Sequence, residues 1–390
     1  MTRSPAKLDS VRRRNLSQVL EMVHRGQSPS RAEMTAHTGL NRSTIGALVA
    51  ELVALGLAVE TEPSTSNRVG RPSPRVEPSP DVAVIAVNPE VDAITAAVVG
   101  LGARVEHRVR REVEHPPTPE EAAAIIAELV ADLRGRAAER TVISVGIAVP
   151  GLVRAAGGDV RWAPHLGWRE VPFTRLVEDA VGLPTFADND ATVGAHAEWL
   201  FGAGRGAAEL VYLNGGASGI GGGVIVRGLP LGGAHGYAGE FGQNRPGLRD
   251  PADRATTGGT LEDEVSRARL LAAVGLDSAD EPTLRERLLT STDAGVWAEL
   301  ERQQRILAVA LANAVNVFNP ELVVLGGFLA TLLEWRGPAL EQAVEASTVP
   351  AAWEGVQIRA AALGENRLLI GAAELALAPL LHDPGQYAPR

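Results

Sequence analysis

Residues 210–243 read LVYLNGGASGIGGGVIVRGLPLGGAHGYAGEFGQ. The stretch opens apolar from Leu210 to Leu213. It passes through Ala217-Ser218-Gly219-Ile220-Gly221-Gly222-Gly223 and returns apolar from Gly223 to Val226. Two short apolar runs around a glycine-dense centre predict a pair of strands joined by a turn. Glycine has no Cβ, so at this density backbone N–H groups can approach a ligand closely. A tight turn that binds nothing is the other reading. A single carboxylate follows in a small-residue setting, Ala238-Gly239-Glu240-Phe241-Gly242.

Working outward, the short apolar run Thr185-Phe186-Ala187 ends at Asp188-Asn189-Asp190, with a helix expected from Ala191. Polar residues at the C-terminal end of such a strand sit where open α/β sheets bind ligands. Capping of the following helix is the structural alternative for Asn189 and Asp190. On the far side lies Gly259-Thr260-Leu261-Glu262. Upstream, Val82 to Val87, Ala93 to Val99 and Arg104 to Val113 read as strands, Pro119 to Arg134 as a helix and Val142 to Val149 as a buried strand.

The first 80 residues are different in kind. Leu8, Val11, Leu16, Val19, Leu20 and Val23 fall largely on one helical face. Ser30-x-x-Glu33 is a capping-box signature for a second helix. Gly39 stands where a tight turn needs positive φ, and Asn41 is a good N-cap for a third. That third helix has an apolar face of Ile45, Leu48, Val49, Leu52 and Leu55 and begins with Arg42, Ser43 and Thr44. This outlines a helix-turn-helix with a polar-tipped recognition helix. Gly56 to Glu60 can form a strand, and Thr61 to Pro80, rich in Pro and Ser, reads as a wing that becomes a linker. Residues 1–80 hold 11 Lys and Arg against 7 Asp and Glu, a net of +4 within a chain of net −10. A basic head on an acidic body of net −14 directs only the head to a polyanion. A three-helix module without nucleic acid is the alternative.

The chain of 390 residues is long enough for two or three domains. It has no cysteine, which excludes disulfides, thiol nucleophiles and thiolate metal sites. No apolar run approaches the ~18 residues of a membrane span, and the N-terminus lacks the apolar segment of a signal peptide. A cytoplasmic protein with no membrane contact is expected.

From about Val82 to Leu381 the chain resembles the ROK family of sugar kinases and sugar-responsive repressors. Ala217 to Gly223 is similar to that family's G-T-G-I-G-G-G turn. Gly239-Glu240-Phe241-Gly242-Gln243 is similar to its G-E-I-G-H motif, with Gln for His. Asn189-Asp190 matches its E-N-D-A phrase, and Pro164-His165-Leu166 resembles P-N-L, with His for Asn. The head resembles the winged helix of the family's repressors in Arg12-Arg13-Arg14-Asn15-Leu16, Ser30-Arg31-Ala32-Glu33 and Thr38-Gly39-Leu40. The resemblance implies a winged helix-turn-helix domain at 1–62, a wing and linker at 63–80, and an actin-like, ribonuclease H-like α/β body at 81–390. The body would have two lobes, about 81–188 plus the C-terminal helix and about 189–366. It implies a sugar held in the cleft between them by His165, Asn189, Asp190, Glu240 and Glu262. It also implies operator DNA met by Arg42, Ser43 and Thr44 and by the wing residues Arg68 and Arg71, in a homodimer or homotetramer.

Departures from the family pattern bear on activity. Where kinases carry D-x-G-G-T for the ATP phosphates, this chain reads Asn88-Pro89-Glu90-Val91-Asp92. Both glycines are gone, Pro89 removes an N–H donor, and Glu90 adds negative charge. The family's zinc knuckle is replaced by Asp250 to Glu262, DPADRATTGGTLE, so zinc of that kind is excluded on ligand grounds. The expectation is a DNA-binding regulator of the repressor kind, with a silent sugar-sensing body and no cofactor or metal. Asp190 matches the family base without catalysing. A sugar kinase, or a repressor governed by a protein partner, are the competing readings.

Overall fold

The structure is a computed structural model that describes residues 5–26, 28–62, 74–248 and 250–387, without the side chains of 5–9 and 252. Arg68 and Arg71, with most of the expected wing tip, lie outside the described residues. The chain forms two compact units. One comprises Met1–Ala148, Val171–Ala187 and Ala372–Arg390, the other Val149–Glu170 and Asp188–Gly371.

The head opens the first unit with helices Pro5–Arg25, Arg31–Thr38 and Arg42–Ala54. Ser30 and Glu33 close the capping box in both directions, and Gly39 ends the second helix at φ 70°. Leu16, Val19, Leu20, Val23, Ile45, Leu48, Val49 and Leu52 are buried, so the helical spacing of the apolar residues becomes the head's core. Ala58–Thr61 pairs antiparallel with Arg75–Pro78. The second strand falls where the chain was expected to run on as a linker. It is tied down by Val76 N–H to Pro29 O at 3.0 Å and by the Arg75 guanidinium to Ser28 O at 2.6 Å.

The rest of the first unit is built on a five-stranded sheet. Numbered along the chain, its strands Val82–Pro89, Ala93–Gly100, Arg104–Glu112, Thr141–Val149 and Thr185–Asn189 lie in the order 5-4-1-2-3. The first three form an antiparallel meander, and the fourth runs parallel to the first. The second unit repeats this plan with Leu210–Gly216, Gly219–Val226, Leu229–Pro230, Leu322–Gly327 and Gln357–Ala360. Two sheets with one shared order are the duplicated ribonuclease H-like plan of actin-like proteins. On one face of the second sheet, Ala294–Phe318 and Phe328–Glu345 bury Leu307, Leu311, Val315, Phe328 and Leu332 with Val211, Leu213 and Val323.

The glycine stretch departs from its reading. Only Ala217-Ser218 turn; Gly219–Val226 is strand, paired from Gly216↔Gly219 onward. Packing explains most of the missing side chains. A Cβ on Gly221 would lie 2.5 Å from the Ala191 Cβ, and one on Gly223 2.5 Å from the Ala195 Cβ. Helix Asp190–Phe201 therefore lies directly on this strand. A Cβ on Gly222 would meet Phe241 Cδ2, also at 2.5 Å. The glycines bring the helix bearing Asp190 and the turn bearing Glu240 onto one ribbon.

Candidate functional site

A cavity of about 480 Å³ opens in the second unit, and every residue lining it belongs to that unit. The segment Val149–Glu170, which carries His165 and was expected in the other lobe, belongs to the same unit as the rest of the lining. Its size falls within the roughly 300–1,000 Å³ of small-molecule sites. His165, Asn189, Asp190, Glu240 and Glu262 all line it, so five residues spread over nearly a hundred positions are brought together.

Asn189 is the N-cap of helix Asp190–Phe201. Its Oδ1 accepts from Thr192 N–H at 3.0 Å, and its Nδ2 donates to Gly151 O at 2.9 Å. The capping alternative is thus realised, and the amide also fixes the Pro150-Gly151 turn in the cavity wall. Asp190 heads the helix, where a carboxylate is favoured by the helix dipole, and its Oδ1 accepts from Ala191 N–H at 2.8 Å. Asp188, beside them, is largely buried. Burial pushes its pKa up to about 6, against the opposing bond from Asn189 N–H.

Glu262 sits on a short helix, Leu261–Glu264, that is N-capped by Thr260 in a capping box with Asp263. Its carboxylate accepts from Gln243 Nε2 at 2.6 Å and from Ile220 N–H at 3.2 Å. Gly219 has φ 130°, and a Cβ there would stand 2.4 Å from Glu262 Oε2. The glycine turn therefore does bring an N–H group to a carboxylate, but that carboxylate is the protein's own. Glu240 precedes the 3-10 turn Phe241–Gln243, accepting from Gln243 N–H through its backbone carbonyl, and its carboxylate makes no hydrogen bond or ion pair among the described residues. Desolvation in the cavity, and then the charge of Glu262, raise its carboxyl above the ordinary value. His165 lies exposed in the turn Pro164–Leu166.

Two further lining residues, Trp162 and Asn214, escaped the sequence reading. Trp162, 48 % exposed, presents an indole to the same cavity beside Leu152, its partner across Leu152–Val153 and Val160–Ala163. Its place two residues ahead of Pro164-His165 was the available signal. Trp168, by contrast, is 2 % exposed and packs in the core. Asn214 ends an apolar strand and Ser218 sits in its turn. The Asn214 Oδ1 is buried with no partner among the described residues. No Lys or Arg lines the cavity, and no cluster of His, Asp and Glu fit to hold a metal occurs among the described residues.

At the place of the kinase phosphate loop, Glu90 N–H closes a tight turn on Ala93 O at 2.7 Å. Arg110 bridges Glu90 and Asp92 at 2.7 and 2.9 Å. The Glu90 carboxylate read from the sequence is therefore paired in place, with one guanidinium shared between two carboxylates. Burial raises the Glu90 carboxyl, and Arg110 offsets part of that.

The head presents a second candidate surface. Asn41 Oδ1 caps the third helix through Thr44 N–H at 2.8 Å and also accepts from Ser43 Oγ at 2.7 Å. Arg42 is exposed, and its guanidinium makes no hydrogen bond or ion pair among the described residues. Arg12 and Arg13 are already engaged, with Glu51 at 2.9 Å and Asp383 at 3.3 Å. No helix among the described residues is long and apolar enough to cross a membrane.

The chain is similar to proteins of two activities. A xylose repressor of Caldicellulosiruptor bescii is 26 % identical over 390 residues, covering 95 % of this chain and 96 % of that protein. A glucokinase of Halalkalibacterium halodurans is 29 % identical but covers 66 % of this chain and 85 % of its own length. Among solved structures, a ROK family transcriptional regulator described as a homolog of E. coli MLC protein matches with a TM-score of 0.76. It is 22 % identical and covers 96 % of this chain and 97 % of its own. The ROK family model matches residues 84–378, three quarters of the chain and all of the candidate cavity, and the chain belongs to the ROK family.

Proposed function

We propose that this protein is a DNA-binding transcriptional repressor whose ROK body binds a neutral sugar and thereby alters operator affinity. The observation that carries the sugar reading is the chemistry of the cavity wall. It gathers Asp190, Glu240, Glu262 and the unpartnered Asn214 Oδ1, and it has no lysine or arginine. Acceptors in excess suit a ligand covered with hydroxyl donors. They suit a sugar phosphate or a nucleotide poorly, because nothing in the wall compensates an anion. Full-length similarity to the xylose repressor, head included, supports the DNA half of the reading.

The glucokinase similarity keeps a kinase in view. Against it stand Pro89 and the Arg110-bridged turn at the phosphate-loop position. Phosphoryl transfer rests on positioned phosphates and metal, so Asp190 would lack a phosphoryl group to serve. We place the protein in the cytoplasm with its operator, as a dimer or tetramer that presents paired recognition helices to half-sites.

The test is an operator gel shift with the full chain and its Glu240→Ala variant, titrated with D-xylose and D-glucose. The parent should bind DNA in a salt-dependent way and release it with one of the sugars. The variant should bind DNA equally and ignore the sugar. Sugar-dependent ADP production from ATP, abolished by Asp190→Ala, would establish the kinase reading instead.

A further inference from the structure

Outside the cavity wall, the most completely bonded charged group described is Arg302, on helix Ala294–Phe318. A guanidinium has five N–H donors, and here each has an acceptor. Nε donates to Glu299 Oε2 at 3.0 Å, and Nη2 to Glu299 Oε1 at 2.9 Å and Glu264 O at 2.6 Å. Nη1 donates to Asp253 O at 2.7 Å and Glu264 Oε2 at 3.1 Å. Arg302 is 8 % exposed and Glu264 fully buried.

Glu264 carries the pattern into the loop. It accepts from Ala255 N–H at 2.7 Å, and from Thr256 N–H and Oγ1 at 3.2 Å. Burial alone would raise its pKa, but these bonds and Arg302 outweigh it and hold the carboxyl below its ordinary value. Arg305, one turn along the same helix, binds Asp253 Oδ1 at 2.7 Å. Glu299 also accepts from Arg269 Nε at 2.9 Å and Gln303 Nε2 at 2.8 Å. Burial opposes its charge, yet these donors bring its pKa down to about 2. The loop so fastened is the segment in which the family carries a zinc knuckle. It has no cysteine, and its carboxylates Asp253 and Glu264 are committed to arginine, so these residues do not fit the metal.

We propose that Arg302 is the positioning residue of the ligand site: its guanidinium fastens residues 253–264 in place of a metal and so fixes Glu262, two residues from Glu264, in the cavity wall. The part concerning Glu262 rests on the sugar reading above; the fastening itself does not. A planar, permanently charged fork suits the task better than an ammonium, which is a point charge with three rotating donors.

Hydrogen-exchange mass spectrometry on the full-length protein tests both parts, with Arg302→Met, Arg302→Lys and Glu299→Gln as variants. In the parent, the amides of Ala255 and Thr256 should exchange slowly and be indifferent to EDTA and to added zinc chloride. In Arg302→Met they should exchange at least tenfold faster, with peptides of the Val82–Pro89 strand unchanged. Arg302→Lys and Glu299→Gln should fall between. Calorimetry with whichever of D-xylose and D-glucose the parent binds should show at least a tenfold loss of affinity in Arg302→Met. Partial rescue by lysine should follow the exchange data. Unchanged exchange in Arg302→Met, loss of protection in the parent on adding EDTA, or equal acceleration in the Val82–Pro89 peptides would each overturn the fastening role. Loosened exchange with unaltered sugar affinity would overturn the link to Glu262. If the parent binds neither sugar, the sugar reading fails on that arm while the exchange arm still decides the fastening.

Discussion

At the residue scale, Asp188 and Glu240 are two carboxyls displaced upward from their ordinary values, with different consequences. Asp188 titrates near 6 because it is buried, against an unfolded value of about 3.9. Its proton is therefore held more tightly in the folded state. The folded state loses stability as pH rises between those two values, by at most about 3 kcal/mol. Asp188→Asn keeps an acceptor for Asn189 N–H and removes the charge. It should raise the unfolding midpoint in urea at neutral pH and leave it unchanged near pH 4. Equal midpoint shifts at both pH values would place the strain elsewhere. Glu240 is raised by desolvation and by Glu262, so ionising it costs more than usual. A sugar hydroxyl prefers the ionised form as acceptor, so sugar affinity should be greatest at neutral pH and, as pH is lowered, begin to fall while still above the usual carboxylate range. Glu240→Gln should weaken binding by roughly 1.5–3 kcal/mol, the range for a hydrogen bond to a charged group, and flatten that pH dependence in calorimetry. The candidate carboxylates were legible from motif phrases. Trp162 and Asn214 were not, because neither a lone indole nor a strand-terminal amide shows by its type which wall it will join.

At the element scale, what could be read was local. The capping box at Ser30, the cap at Asn41 and the left-handed Gly39 each depend on four or five neighbouring residues, and each is present. What was misread depends on distant partners. Arg75–Pro78 is a strand because Ala58–Thr61 lies beside it. Gly221 and Gly223 are glycine because a helix some thirty residues upstream lies on them. The recognition helix offers a direct test. Arg42 is its exposed, uncommitted cation, while Asn41 supports the backbone beneath it. Arg42→Ala should weaken operator binding and, if the arginine meets a phosphate, reduce the slope of log K against log salt by about 1. Asn41→Ala should cost about 1 kcal/mol of stability through the lost cap. Fluorescence anisotropy at several salt concentrations separates the two. An unchanged affinity and slope in Arg42→Ala would move the DNA surface off this helix.

At the scale of the molecule, the sequence suggested a wing that becomes a linker between head and body, and the structure adds a second tie within the first unit. The head's long first helix is fixed to the C-terminal segment at three places. Arg13 meets Asp383, Ser17 Oγ donates to Leu381 O at 2.6 Å, and His24 meets Glu374 at 2.8 Å. The last pair is buried, and its tautomer follows from its neighbours. Gly102 N–H donates to His24 Nδ1 at 2.9 Å, so Nε2 carries the hydrogen that Glu374 accepts. No composition or periodicity could reveal this tie, since its partners lie 350 positions apart in the chain. Helix Arg367–His382, which carries Glu374, crosses the boundary between the two units at Gly371–Ala372. Under the proposed function, a sugar bound in the second unit would alter DNA affinity only through a difference in head placement between two states, and this helix would be a covalent route for such a difference. Glu374→Ala should destabilise the protein by roughly 1.5–3 kcal/mol, since a buried hydrogen bond to a charged group is lost. Glu374→Gln retains an acceptor and should cost less. If the tie transmits the signal, Glu374→Ala should bind both sugar and operator yet show a smaller change of operator affinity on adding sugar. Urea denaturation together with operator titrations, with and without sugar, measures both effects. A protein that is destabilised by this substitution but keeps the full sugar response would place the coupling outside this tie.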